Sequence, residues 1–221
     1  MTNLSKKVLI IDYGLGNLFS VTQALINIGV NVKTTSNPDE IESADAIVLP
    51  GVGAFKDAMN NLKDLNLIDS IKKSIDSGKP FLGICLGLQL LFSESEEFGV
   101  TKGLDIVKGK VKRFSNNNQE GEIRKVPQIG WNQISKINGK SWDYTPLNDI
   151  KEGEFMYFVH SFYVEPEEPV GLSQTNYDGH SYVSSIQKGN IFACQFYPEK
   201  SGHKGLKVYK NWAEINNLKR N

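Results

Sequence analysis

Cysteine and histidine are scarce in this chain. Its 221 residues include two cysteines, Cys85 and Cys194, and three histidines, His160, His180 and His203, at spacings that match no zinc-type pattern. Neither a metal nor another cofactor is therefore expected, and in a reducing compartment the two thiols should stay unpaired. Net charge is lacking too. With 25 Lys plus Arg against 25 Asp plus Glu, no basic field draws the chain to nucleic acid or an anionic membrane, which leaves small molecules and proteins as partners. Long apolar runs are also missing. Met1 to Lys7 leads directly into the strand-like Val8-Leu9-Ile10-Ile11, too short for an export or spanning segment, so a cytoplasmic location is expected. Without internal repeats or linker-like stretches, residues 1–221 are expected to form one domain with a sizeable core.

What is present is a regular alternation of strand and helix patterns. Val8 to Asp12 reads as a strand, Asn17 to Ile28 as an amphipathic helix closed by Gly29, Val30 to Thr35 as a second strand and Ala44 to Leu49 as a third. Helical patterns fill Ala54 to Ile75, Gly78 ends them, and Pro80 to Ile84 gives another strand. The order predicts an α/β fold with a doubly wound, largely parallel central sheet. After Val100, shorter apolar runs separated by Gly, Asn and Pro predict an added antiparallel portion over one end of the sheet. Ser115 to Gly121 reads as an exposed loop, and Glu94, Glu96 and Glu97 as a solvated helix end. Lys204 to Asn217 should be a helix whose Leu206, Val208, Tyr209, Trp212, Ala213 and Ile215 face the core.

Ligands of such sheets bind at the carboxyl ends of strands, where three loops fall. Gly14-Leu15-Gly16-Asn17 lacks the third glycine of a dinucleotide fingerprint. Pro50-Gly51-Val52-Gly53 is either an ordinary turn or a place where backbone N–H groups approach a developing oxyanion. Gly83-Ile84-Cys85-Leu86-Gly87 joins a strand to the apolar segment Leu86 to Phe92, expected to be helical, in the pattern of a nucleophile elbow. A helix N-terminus at Cys85 would favour a thiolate, while the alternative is a buried structural cysteine. Further on, Asn190 to Phe196 should be a strand with Ala193, Gln195 and Tyr197 on one face and Cys194 and Phe196 on the other, making Cys194 a core residue. Pro198 ends the pairing, and Glu199 stands where it could accept a hydrogen bond from a ring nitrogen at position 197.

Together with Lys125-Val126-Pro127, Gly130-Trp131-Asn132, Tyr157-Phe158-Val159-His160-Ser161 and Gln195-Phe196, Pro198-Glu199-Lys200-Ser201, these motifs resemble class I, triad-type glutamine amidotransferases over nearly the whole chain. Within that class they resemble most the glutaminase subunit of imidazole glycerol phosphate synthase. The resemblance implies that Cys85 attacks the glutamine side-chain amide and that Glu199 orients the base. It implies backbone contacts from the loop of Gly51 and Gly53 and from Leu86, and substrate contacts from Gln89, Ser161 and Phe162. It also implies a separate barrel-type cyclase subunit, forming a heterodimer in histidine biosynthesis and receiving the ammonia.

Two positions depart from that pattern: Tyr197 stands where the catalytic histidine is expected, and Gln128 where a histidine commonly precedes Gly-Trp-Asn. A phenol titrates near pH 10, so neutral Tyr197 is a poor acceptor for the thiol proton, and turnover should be impaired. None of the three histidines is expected to take its place, and His180, in a turn-like segment, should face solvent. Three readings stay open: a slowed glutaminase subunit, a non-catalytic subunit of an ammonia-using synthase, and a paralogue serving amidination of surface sugars.

Overall fold

The computed structural model describes residues 6–117 and 120–219. Along the chain it runs β1 (Val8–Ile11), α1 (Leu18–Asn27), β2 (Val32–Thr35), α2 (Pro38–Ser43), β3 (Ala46–Gly51), α3 (Phe55–Asp64), α4 (Leu67–Asp76), β4 (Phe81–Cys85) and α5 (Leu86–Gln89). The second half continues with β5 (Phe92–Ser95), β6 (Thr101–Lys102), β7 (Val107–Arg113), β8 (Gln128–Lys136), β9 (Glu154–His160), β10 (Phe162–Pro166), β11 (Gly171–Tyr177), β12 (His180–Lys188) and β13 (Ile191–Cys194). A 3₁₀ turn, Pro198–Lys200, leads into α6 (Gly202–Ile215).

All strands share one sheet whose main path is β2-β1-β3-β4-β13-β12-β10-β7-β5-β6, with β11, β8 and β9 branching from β12. β2, β1, β3, β4 and β13 are parallel neighbours, and the sheet turns antiparallel at β12. The expected doubly wound sheet with an antiparallel addition is thus present, as one continuous sheet. Every residue of β1, β3, β4 and β13 is buried, because helices cover both faces. Val8, Ile10, Val48, Leu82 and Phe192 join one core with Leu25 of α1 and Val208 and Trp212 of α6. Leu9, Ile11, Ile47, Leu49 and Phe81 join the other, with Phe55 and Leu62 of α3 and Ile71 of α4.

Several boundaries differ from the sequence expectations. The Ala54 to Ile75 pattern is two helices, broken where Asn66 takes φ 56°. The helix expected over Leu86 to Phe92 stops at Gln89, because the Leu90 and Leu91 carbonyls receive N–H groups of Leu104, Ile106 and Val107 instead of continuing a helix. Glu94 accordingly lies on a strand, and Glu96 and Glu97 follow it as caps. Glu97 Oε2 accepts from the Phe55 N–H opening α3 at 2.6 Å, and Glu96 Oε1 from the Arg113 N–H at 2.7 Å. Ile215 is 46% exposed and leaves the α6 seam, whereas Val208, Tyr209, Trp212 and Ala213 are buried. In the Ser115 to Gly121 loop, Ser115, Asn116, Asn117, Glu120 and Gly121 are exposed, and residues 118 and 119 lie outside the described set.

Candidate active site

The parallel register builds the site. At the carboxyl edge of the sheet, Gly51 of β3 lies abreast of Cys85 of β4, and on the other side Cys194 of β13 pairs with Ile84. The next residue, Gln195, therefore flanks Cys85, and Tyr197 and Glu199 follow just beyond.

Cys85 has φ 54° and ψ −107°, a conformation a side chain adopts only under strain, of order 1–3 kcal/mol, and this turn aims the sulfur out of the strand. Close packing fixes the turn: a Cβ on Gly87 would collide with the Leu49 backbone, and one on Gly51 with the Tyr13 hydroxyl and Leu86 Cβ. Cys85 is 5% exposed; its thiol donates to the Val159 carbonyl at 3.9 Å, while Gln195 Nε2 donates to the sulfur at 3.4 Å. The Tyr197 side chain and the Leu86 backbone lie close enough to act on its titration. Burial nevertheless pushes the thiol up to about 11; the Tyr197, Leu86 and Gln195 donors oppose the shift and the nearby Glu199 charge adds to it. The dipole contribution expected from a following helix is small, since α5 is only four residues long.

Tyr197 is 5% exposed, and its backbone is pinned to β9: its N–H donates to the Tyr157 carbonyl at 3.0 Å, and its carbonyl accepts from Ser201 Oγ at 2.7 Å. β13 ends at Cys194, so strict alternation does not reach position 197. Tyr197 therefore packs in the same core as Cys194, Phe196 and Cys85, not on the face of Ala193 as period-two spacing suggested. Burial first, and then the neighbouring Cys85 and Glu199, drive its phenol well above its ordinary value of 10.0. The proton thus stays on the oxygen. Lys200 Nζ stands 5.0 Å from the Tyr197 ring centroid.

Glu199 Oε2 accepts from the Tyr209 hydroxyl at 2.7 Å, whereas buried Oε1 has no hydrogen-bond partner among the described residues. Burial raises this carboxyl, opposed in part by Tyr209, its own backbone N–H and Lys200. An unpaired carboxylate oxygen in the interior is costly, and the Tyr197 phenol makes no hydrogen bond to it.

Gln89, 6% exposed, gives both protons of Nε2 away, to the Phe162 carbonyl and to Gln195 Oε1, each at 3.0 Å. Ser161 and Phe162 line a cleft of about 480 Å³ with Glu96, Glu97, Phe98 and Arg113. Gly53 is exposed at φ 95°, beyond Gly51.

No histidine substitutes at position 197. His160 donates from Nδ1 to the Phe162 carbonyl at 2.7 Å, its Nε2 lies 3.1 Å from the Tyr182 hydroxyl, and burial lowers its pKa to about 4. Gln128, at the second unusual position, completes that buried cluster, its Oε1 3.0 Å from the Tyr182 hydroxyl. His180 is half-buried, not solvent-facing, with its ring 4.6 Å from that of Tyr163. His203 lies exposed in the first turn of α6. Cys194 is fully buried, its thiol donating to the Phe196 carbonyl at 3.4 Å.

Two neighbours of the site escaped the sequence reading. Tyr13, 1% exposed, donates to the Pro50 carbonyl at 2.9 Å and so shapes the loop beside Cys85. Its place just beyond the carboxyl end of β1 was the available signal. Tyr209 holds Glu199, yet its apolar helical spacing marked it only as core.

Residues 9–214 match the family described as glutamine amidotransferase class-I. Among curated proteins, the chain is 46% identical over 210 residues to the imidazole glycerol phosphate synthase subunit HisH 1 of Legionella pneumophila (strain Paris), covering 94% of this chain and 99% of that protein. It is 49% identical over 211 residues to the subunit HisH of Aquifex aeolicus, covering 93% and 95%. Among solved structures, PurLQS from Thermotoga maritima superposes with a TM-score of 0.69 at 19% identity, covering 96% of this chain and 99% of the other, a likeness of fold. On the strength of the match over residues 9–214, this chain belongs to the class I glutamine amidotransferases.

Proposed function

We propose that the chain is the glutaminase subunit of an imidazole glycerol phosphate synthase, built to hydrolyse glutamine and pass ammonia to a separate barrel-type cyclase, and held at low turnover by Tyr197. The observation that carries this reading is the strained Cys85 at the sheet edge, with Gly51 on one flank and the Gln195 to Glu199 segment on the other. Near-full-length identity to the HisH relatives favours this subunit over other amidotransferases.

In the proposed reaction Cys85 Sγ attacks the amide carbon of glutamine. The Gly51 and Leu86 N–H groups receive the developing oxyanion, ammonia departs, and water releases glutamate from the thioester. Gln89, whose amide protons are spent inside the protein, has only its carbonyl oxygen left to offer the substrate, an acceptor that would match an α-ammonium group. The cleft of Ser161 and Phe162 adjoins it. What fails is proton transfer. An imidazole would take the thiol proton and return it to the leaving ammonia; Tyr197 holds its own proton too tightly to do the first.

The proposed docking face for the cyclase is the outer side of the β8/β9 pair, where Ile129, Trp131 and Phe155 are 59%, 55% and 49% exposed. The same strand, β9, supplies the Val159 carbonyl to Cys85 and the Tyr157 carbonyl to Tyr197, so this face continues into the site. A partner seated there would keep ammonia from bulk water.

The test is ring closure by the complex with its cyclase, supplied either with glutamine or with ammonium salt. Closure with ammonium but hardly with glutamine, and glutamine dependence restored by Tyr197→His, is the expected result. Failure of the Tyr197→His complex to use glutamine would instead support the second reading, a non-catalytic organising subunit, which Tyr197 itself favours.

A further inference from the structure

We propose that Gln195 is a hydrogen-bond donor to the nucleophile, aimed by Gln89, so that the substrate-facing side chain and the attacking sulfur are joined through one amide. β13 pairs with β4 so that Gln195 stands beside Cys85, fully buried. Its Nε2 lies 3.4 Å from Sγ and its Oε1 3.0 Å from Gln89 Nε2.

The orientation is forced. Phe162 offers a carbonyl, which only accepts, so Gln89 must turn its amide nitrogen toward it at 3.0 Å. The second proton of that nitrogen then meets Gln195, which has to answer with its oxygen. Turned over, Gln195 would set two NH₂ groups against each other and point a carbonyl oxygen at the sulfur. As it stands, an N–H faces the atom that becomes anionic, and the bond strengthens as the thiol ionises. A carbonyl, that of Val159, occupies another side of the sulfur and favours the neutral thiol. Gln195 therefore favours the reactive form and Val159 the resting one.

The inference rests on the glutaminase reading only for its effect on turnover; the bond to sulfur is tested without glutamine. Cys85 alkylation by iodoacetamide, located by mass spectrometry, is followed against pH in Tyr197→His and in Tyr197→His/Gln195→Met. A charge-assisted hydrogen bond corresponds to roughly one to two pH units. The second variant should show its midpoint raised by about that much, with a high-pH plateau that is no lower and rises with the basicity of the thiolate. A lowered plateau with an unmoved midpoint would mean that Gln195 only packs, and would overturn the proposal. If Gln195→Met does not fold, Tyr197→His/Gln89→Met, which frees the Gln195 amide to rotate, must raise the midpoint; an unmoved midpoint there overturns it equally. If Tyr197→His shows no plateau below pH 10, the triad reading fails on its own. The native chain and Gln195→Met are then compared at pH 9, where the rate should fall about 3- to 15-fold after allowing for the higher nucleophilicity of a more basic thiolate. Equal rates there overturn the proposal as well.

Discussion

Replacing Tyr197 by histidine should raise glutamine hydrolysis by about a thousandfold or more with the cyclase bound, and the expected size follows from the sulfur. With the thiol pushed up to about 11, on the order of one Cys85 in ten thousand is ionised at pH 7. An unperturbed thiol near 8.5 would be ionised in about three per cent of molecules. An imidazole at position 197 would accept the thiol proton, and its second nitrogen would meet Glu199 Oε1, the buried oxygen that has no partner among the described residues. Loss of a triad base costs on the order of 10³ to 10⁶ in rate, and the substitution should recover at least the lower end of that range. Glutamate release, coupled to a dehydrogenase and measured for both forms with the cyclase present, reads the effect. Adding Glu199→Gln to Tyr197→His should remove most of the gain, because the ring then loses its orienting acceptor. Equal turnover of the native chain and Tyr197→His would refute the assignment of position 197 as the missing base.

His160 is buried and held neutral, with a pKa near 4 instead of its ordinary 6.5. The unfolded chain therefore binds more protons than the folded one between these values, so stability present above pH 6.5 is lost as pH falls through the window toward 4. The loss from this residue should total about 3 kcal/mol. Urea unfolding at pH 7 and pH 4.5 should show most of it in the native chain and little in His160→Asn. At the proposed cyclase face, Trp131, stacked edge-on against Tyr157 with centroids 5.9 Å apart, is the large exposed anchor. Trp131→Ala should weaken the complex by 2 kcal/mol or more, roughly thirtyfold in Kd, in a titration that leaves the melting temperature of the free chain unchanged.

The parallel half of the fold was legible because its inner strands β1, β3 and β4 are continuous apolar runs and the longer helices between them carry a clear 3.6-residue period. Cys85 was legible for a related reason: glycines on both sides of a cysteine between such elements leave few other conformations. What escaped depended on contacts distant in sequence. Nothing in Leu90 and Leu91 says that residues 104–107 will claim their carbonyls and end α5. Alternation also could not place Tyr197, since the chain leaves β13 after Cys194 and is captured by Tyr157 and Ser201. The raised thiol was out of reach as well, because its main cause is burial by the whole fold, not the neighbouring residues.

The most direct measurement is the pH–rate profile of Cys85 alkylation in the native chain beside that of Tyr197→His. In the native chain the rate should climb about tenfold per pH unit through pH 10 without levelling, as expected for a thiol near 11. In Tyr197→His it should level near neutrality. A native profile already flat below pH 8 would show a thiolate formed without the missing base, and would contradict the account.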